Sequence, residues 1–126
     1  MIHEVEGDIL LTDAKAIVHS VAPNDDFKNG LALSLRENWP SMYKDFRHFS
    51  HSNHPKEGTI WTWASAEGKR IFNLFIQEHA KDHNSNPGSA TIPYLNSALK
   101  ELRAQIEKEK VPSVALPKLG TGVGNL

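Results

Sequence analysis

Apolar and polar positions divide this chain into short, well-separated elements. Ile2 to Val5 alternates in the manner of an edge strand, and Gly7 marks a turn. "AKAIVHSVA" (14–22) is a short apolar run rich in β-branched residues and reads as a buried strand. "PNDDFKNG" (23–30) has the chemistry of a loop. Leu31, Leu35 and Trp39 then repeat at helical spacing. Pro40 interrupts, and Met42, Phe46 and Phe49 predict a second short helix with Pro40 in its first turn. "SHSNHPKEG" (50–58) reads as a polar loop.

"GTIWTWAS" (58–65) alternates again, "AEGK" supplies a hairpin turn, and "RIFNLFIQ" (70–77) is the return strand. A long polar loop, "EHAKDHNSNPGSA", follows. Ile92, Leu95, Leu99, Leu102 and Ile106 then form one apolar stripe of a helix, with Thr91 as its cap and Pro93 in its first turn. "SVALP" (113–117) is the last strand. This order predicts an α/β domain, a central sheet with helices on both faces. In such sheets ligands bind beyond the C-terminal ends of the strands. "PNDDFKNG" and "KLGTGVGN" are the two loops expected there.

Composition narrows the picture. The 126 residues suffice for one domain, and a net charge of −1 argues against a large basic nucleic-acid face or a polybasic membrane patch. There is no cysteine, so disulfides and thiolate metal sites are excluded. "MIHEVEGDIL" lacks the layout of a signal peptide, and no apolar run approaches the ~18 residues of a membrane span. The expectation is a cytoplasmic domain with no membrane partner.

The chemistry concentrates in loops. Gly120, Gly122 and Gly124 alternate with Thr121 and Val123, so successive backbone N–H groups can turn toward one anion; the alternative is a flexible tail. Asp8, after Gly7, can accept a hydrogen bond from an exocyclic amine or close an Asx turn. His48, His51 and His54 are spaced by three but fall in a stretch read mostly as loop. With no cysteine or acidic partner nearby, no metal is assigned to them, nor to His79 and His83. Trp61 and Trp63 share one strand face and read as packing.

Four stretches, "VEGDIL", "AIVHSVA", "KNGLALSL" and "VALPKLGTGVG", occur in an order and at distances that resemble the macro domain, an ADP-ribose-binding module. The likeness runs from about Ile2 to the last residue. It is nearest the branch holding terminal ADP-ribose protein glycohydrolase, DNA ADP-ribosyl glycohydrolase antitoxin and ADP-ribose-1″-phosphate phosphatase. The resemblance implies a three-layer α/β/α sandwich with a mixed central sheet. It implies that Asp8 binds the adenine amine, with Ile9 beside the ring. Val21, Lys28, Asn29, Gly30, Leu31 and Ala32 would belong to the first phosphate-and-ribose loop. Leu119, Gly120, Thr121, Gly122, Val123, Gly124 and Asn125 would wrap the diphosphate and distal ribose. No cofactor is implied.

The chain also departs from the family pattern. Leu31 and Ala32 stand where many hydrolytic members carry an Asp after a glycine run. Gln77 or Glu78, and Gly124, stand where the terminal glycohydrolase type has a Lys and an Asp. His19 matches a His of the phosphatase-like type and is a candidate general acid or base; the alternative is a core or ribose-orienting His. Asp25 and Asp26 are candidates for activating water or ordinary turn residues. The family's final helix and strand have no counterpart here, so the expectation is a single, C-terminally shortened macro domain. Either self-association through an uncovered edge or a more open adenine pocket of weakened affinity is expected with it, and Phe27 is a candidate substitute adenine stacker. The functions implied are removal of ADP-ribose from a protein, nucleic acid or metabolite, ADP-ribose binding alone, or an ADP-ribose-1″-phosphate phosphatase using His19.

Overall fold

The computed structural model of the protein describes residues 2–4, 14–28, 30–79 and 91–116. They form a five-stranded mixed sheet in the order β1-β5-β2-β4-β3, where β1 is Ile2–Glu4, β2 Ala16–Val21, β3 Ile60–Ala64, β4 Arg70–Phe75 and β5 Val114–Leu116. β1, β5, β2 and β4 run parallel, and β3 joins β4 antiparallel through the predicted hairpin. Helices α1 (Gly30–Asn38) and α2 (Pro40–Asn53) cover one face; α3 (Ile92–Glu109) covers the other. This is the three-layer α/β/α arrangement.

The period-2 alternation of a strand sends successive side chains to opposite layers. Ile17, Val21, Ile71 and Phe75 meet Leu35, Met42 and Phe46 of α1 and α2. Ala16, Val18, Phe72, Leu74 and Ile76 meet Ala98 and Leu102 of α3. A strand buried on both faces is mostly apolar, which is why β2 and β4 read as runs, interrupted within the core by His19 and Asn73.

Thr91 caps α3, its hydroxyl accepting from the Tyr94 N–H at 3.4 Å. The expected α3 stripe is shifted: Ala98 and Leu102 are buried, whereas Ile92 is exposed. A larger difference concerns α2. It continues through Asn53, so the first residues of the expected polar loop are helical, and it stops only where His54 takes φ 46°. Its buried stripe already anchors it, and propensity at Ser50 and Ser52 is too weak a force to end it.

One glycine is required by packing. Gly58 has φ 87°, and its N–H donates to the Phe75 carbonyl at 2.7 Å. A Cβ there would lie 3.2 Å from Ser97 Oγ on α3. Gly58→Ala is expected to cost roughly 1–3 kcal/mol, combining backbone strain with displacement of α3. A urea midpoint unchanged from wild type would contradict this.

Candidate functional site

The first loop leaves the C-terminal end of β2, where ligands of open α/β sheets collect. Its shape follows from Asp25. That carboxylate accepts the Ala22 N–H at 3.1 Å and the Phe27 N–H at 2.8 Å, while the Asp25 N–H returns to the Ala22 carbonyl at 3.1 Å. Burial raises the Asp25 pKa above the usual carboxylate value, outweighing the backbone N–H bonds that favour its anion. Ser50 Oγ of α2 donates to the Pro23 carbonyl at 2.8 Å. Arg36 Nη1 of α1 donates to the Asp26 carbonyl at 3.0 Å. The Asp26 carboxylate pairs with Lys28 at 3.2 Å; both side chains are partly solvated, so this contact adds little. Gly30, at φ 55°, turns the chain into α1.

Phe27 is the unusual member. It has φ 56°, a left-handed conformation that costs a non-glycine residue about 1–2 kcal/mol. Its ring is fully buried, 4.9 Å from that of Phe46, 5.4 Å from Tyr43 and edge-on to His19 at 5.6 Å. The expectation that Phe27 stacks on adenine is therefore corrected. Three aromatic neighbours draw the ring into the core beneath α2, and it presents no face to a ligand.

His19 points to the same layer from the middle of β2 and is buried. Asn73, directly across on β4, donates through Nδ2 to the carbonyls of Trp61 (3.2 Å) and Ile71 (3.4 Å), which aims its Oδ1 at His19 Nε2, 2.5 Å away. Nε2 therefore carries the proton and Nδ1 is left as an acceptor, with no partner among the described residues. Burial pushes the His19 pKa down to about 4, against the opposing pull of Asn73. At neutral pH the imidazole is neutral, a hydrogen-bond acceptor at Nδ1 and a poor proton donor.

The structure thus gathers Asp25, Asp26, Lys28 and Gly30 beyond the C-terminal end of β2, with His19 inside the strand and joined to the loop through the Phe27 ring. Val21, Leu31 and Ala32 also stand there, but their side chains serve the core: Val21 is buried, and Leu31 and Ala32 pack against the same cluster. Any contact Val21 makes with a ligand would use its backbone, and its carbonyl already accepts the Gln77 N–H at 3.4 Å. Beyond β4, Gln77 is buried and Glu78 exposed. Asp8, Ile9, Asn29, Leu119, Gly120, Thr121, Gly122, Val123, Gly124 and Asn125 lie outside the described residues.

Elsewhere, His48 and His51 are exposed on α2, and His79 pairs with Glu57 at 3.0 Å. Among the described residues no group of three or more ligating side chains could hold a metal, and no helix is long and apolar enough to cross a membrane. A cavity of about 620 Å³ lies at the opposite end of the sheet, between the residues before β2 (Ala14, Lys15), the hairpin turn (Glu67, Gly68, Lys69) and the end of α1 (Asn38, Trp39). It is remote from the groups that carry chemistry. Three contributors, Asn73, Arg36 and Ser50, escaped sequence reasoning, Ser50 because its stretch reads as loop. Asn73 left a signal, a polar residue inside the apolar run "RIFNLFI"; Arg36 left none, because it reads as an ordinary solvated helix residue.

No family model matches the chain. It is 28% identical over 129 residues to a curated DNA ADP-ribosyl glycohydrolase of Thermus aquaticus, along 100% of this chain and 34% of that protein, so it spans about a third of the relative's length. Among solved structures, the macrodomain of Mycobacterium tuberculosis DarG superposes with a TM-score of 0.85 at 26% identity, covering 100% of this chain and 81% of that one. The macrodomain of Thermus aquaticus DarG gives 0.83 at 26%, covering 100% and 82%. The chain is a macro domain. Its relatives carry the name of one member of the branch that the four sequence motifs resemble. In this macro domain the first loop is braced by Asp25, Ser50, Arg36 and Phe27, and Gly30 turns it into α1.

Proposed function

We propose that this macro domain binds ADP-ribose and removes it from a modified macromolecule, as an ADP-ribosyl hydrolase of the cytoplasm. The similarity to DNA ADP-ribosyl glycohydrolase along the whole chain carries this reading. The placement of the first loop at the C-terminal end of β2 supports it. In this reading Asp8 and Ile9 receive the adenine. Lys28, Asn29 and Gly30 approach the phosphates beside the N-terminus of α1, whose free N–H groups favour negative charge. Leu119 to Asn125 wrap the distal end.

The Asn73 bond at Nε2, an Nδ1 with no partner among the described residues and the neutral state of His19 favour the part of acceptor or orienting group over that of acid. Asp25 shapes the loop through its two N–H bonds, and Asp26 is the freer carboxylate for water. A second reading, binding without turnover, is favoured by the end of β4, where Gln77 and Glu78 offer no cationic group.

Incubation with ADP-ribosylated DNA, ADP-ribosylated protein and ADP-ribose-1″-phosphate separates these readings. Release of ADP-ribose from either macromolecule supports the hydrolase. Phosphate release points to the phosphatase, and inertness on all three with retained affinity leaves the binding module. Calorimetry is expected to show ADP-ribose binding on the order of −8 kcal/mol. Asp8→Ala is expected to weaken it by roughly 1–3 kcal/mol, the scale of a charge-assisted hydrogen bond. An unchanged affinity would remove Asp8 from the adenine site.

A further inference from the structure

The peptide unit between Asp26 and Phe27 is held at both ends. Its N–H, on Phe27, donates to Asp25 Oδ1 at 2.8 Å. Its carbonyl, on Asp26, accepts Arg36 Nη1 at 3.0 Å. The guanidinium that makes the second bond lies over the Tyr43 ring, 4.1 Å from its centroid. Tyr43 in turn touches the Phe27 ring. Arg36 therefore reaches back ten residues from the last turn of α1 to the loop that begins that helix, and α2 braces it there.

Burial of the Phe27 ring fixes where residue 27 sits, but not which way the preceding peptide plane faces. A left-handed residue persists only where its surroundings over-determine it. Rotating the 26–27 peptide would break the Asp25 and Arg36 bonds together. Asp25 has other N–H partners, so its carboxylate stays in place if one is lost. Arg36 is the contact particular to the Asp26 carbonyl, and its planar fork suits simultaneous stacking and hydrogen bonding in a way an ammonium does not.

We propose that Arg36 is a positioning residue of the ligand-binding site: clamped on Tyr43, it locks the Asp26–Phe27 peptide and so presets the backbone that leads into Lys28 for ADP-ribose. The ligand half of this inference rests on the function proposed above. The residue touches no ligand itself; it acts by sparing the loop the cost of ordering when ligand binds.

The experiment compares wild type with Arg36→Ala and Arg36→Lys, using amide hydrogen exchange and ADP-ribose calorimetry. Arg36→Ala is expected to speed exchange of the Asp25 and Phe27 amides at least tenfold, leave the β2 and β4 amides within twofold of wild type, and weaken ADP-ribose about tenfold. Arg36→Lys keeps one donor without the stacked plane, and is expected to fall between the two. Exchange that rises equally in loop and sheet would mean a merely structural arginine and would overturn the proposal. So would wild-type affinity in Arg36→Ala when the wild type binds. A wild type that fails to bind ADP-ribose would instead sink the functional reading, with the exchange comparison still deciding whether Arg36 locks the loop.

Discussion

Phe46→Ala is expected to destabilise the fold by about 3–5 kcal/mol, the range for removing a buried aromatic side chain. Phe46 is 1% exposed and meets aromatic rings from three other segments of the chain. Its ring lies 4.9 Å from Phe27 of the first loop, 5.7 Å from Trp61 of β3 and 6.1 Å from Phe75 of β4. The cavity left by truncation would be walled by stiff rings attached to three separate elements, and such walls collapse poorly. Domains of this kind hold only about 5–15 kcal/mol in total, so the variant should lose a large share of its stability. Phe49, one turn away but half-buried, stacks on Trp61 and should cost clearly less when truncated. Urea unfolding followed by tryptophan fluorescence reads both. A loss under about 1 kcal/mol for Phe46→Ala, or equal losses at the two positions, would show that the cluster is not the keystone of this layer.

Acid is expected to weaken the protein through His19. Its folded-state pKa lies at about 4, below the ordinary 6.5 that it regains on unfolding. Between these values the unfolded chain binds a proton that the folded chain excludes, so stability rises with pH across the window. The contribution is complete above pH 6.5, declines as pH falls toward 4, and changes no further below that. A shift of this size corresponds to roughly 3 kcal/mol. Asp25 works in the opposite sense. Its raised pKa favours the protonated folded form on the acid side, and that advantage fades as pH rises past its folded pKa. The two can be separated by comparing unfolding free energies of wild type and His19→Gln from pH 4 to 7.5. The difference between them should shrink as pH falls, because only the wild type has an imidazole to protonate. An imidazole that titrates near 6.5 by NMR, or a difference independent of pH, would refute the buried neutral state.

Much of the architecture was legible along the chain, and the reasons can be read from particular residues. β2 and β4 announced themselves because a strand covered on both faces is mostly apolar, and the polar pair they hold, His19 and Asn73, is joined by a hydrogen bond. The cap at Thr91 and the break at Pro40 are local chemistry that needs no tertiary context. The end of α2 was misplaced because local propensity at "SHSN" favours a turn only slightly, while the stripe through Met42, Phe46 and Phe49 commits the helix to its layer. Phe27 was misjudged for a related reason. A phenylalanine among Asp, Lys and Asn looks like an exposed ligand contact until α2 is seen to supply Tyr43 and Phe46 around it.

The candidate site divides along the same line. Residue types and their order pointed to the first loop, to His19 and to the family, because glycine, aspartate and histidine carry their chemistry in the side chain or in its absence. The state of those groups depends on what surrounds them. Asn73 and burial together make His19 a neutral acceptor; two N–H donors turn Asp25 into a loop brace; Tyr43 and the Asp26 carbonyl turn a surface arginine into a clamp. The Asp25 bonds are local, spanning two and three residues, whereas Arg36 reaches 10 residues to Asp26 and His19 reaches 54 to Asn73. Periodicity encodes which face a residue takes, but partners so distant in sequence meet only when the layers close.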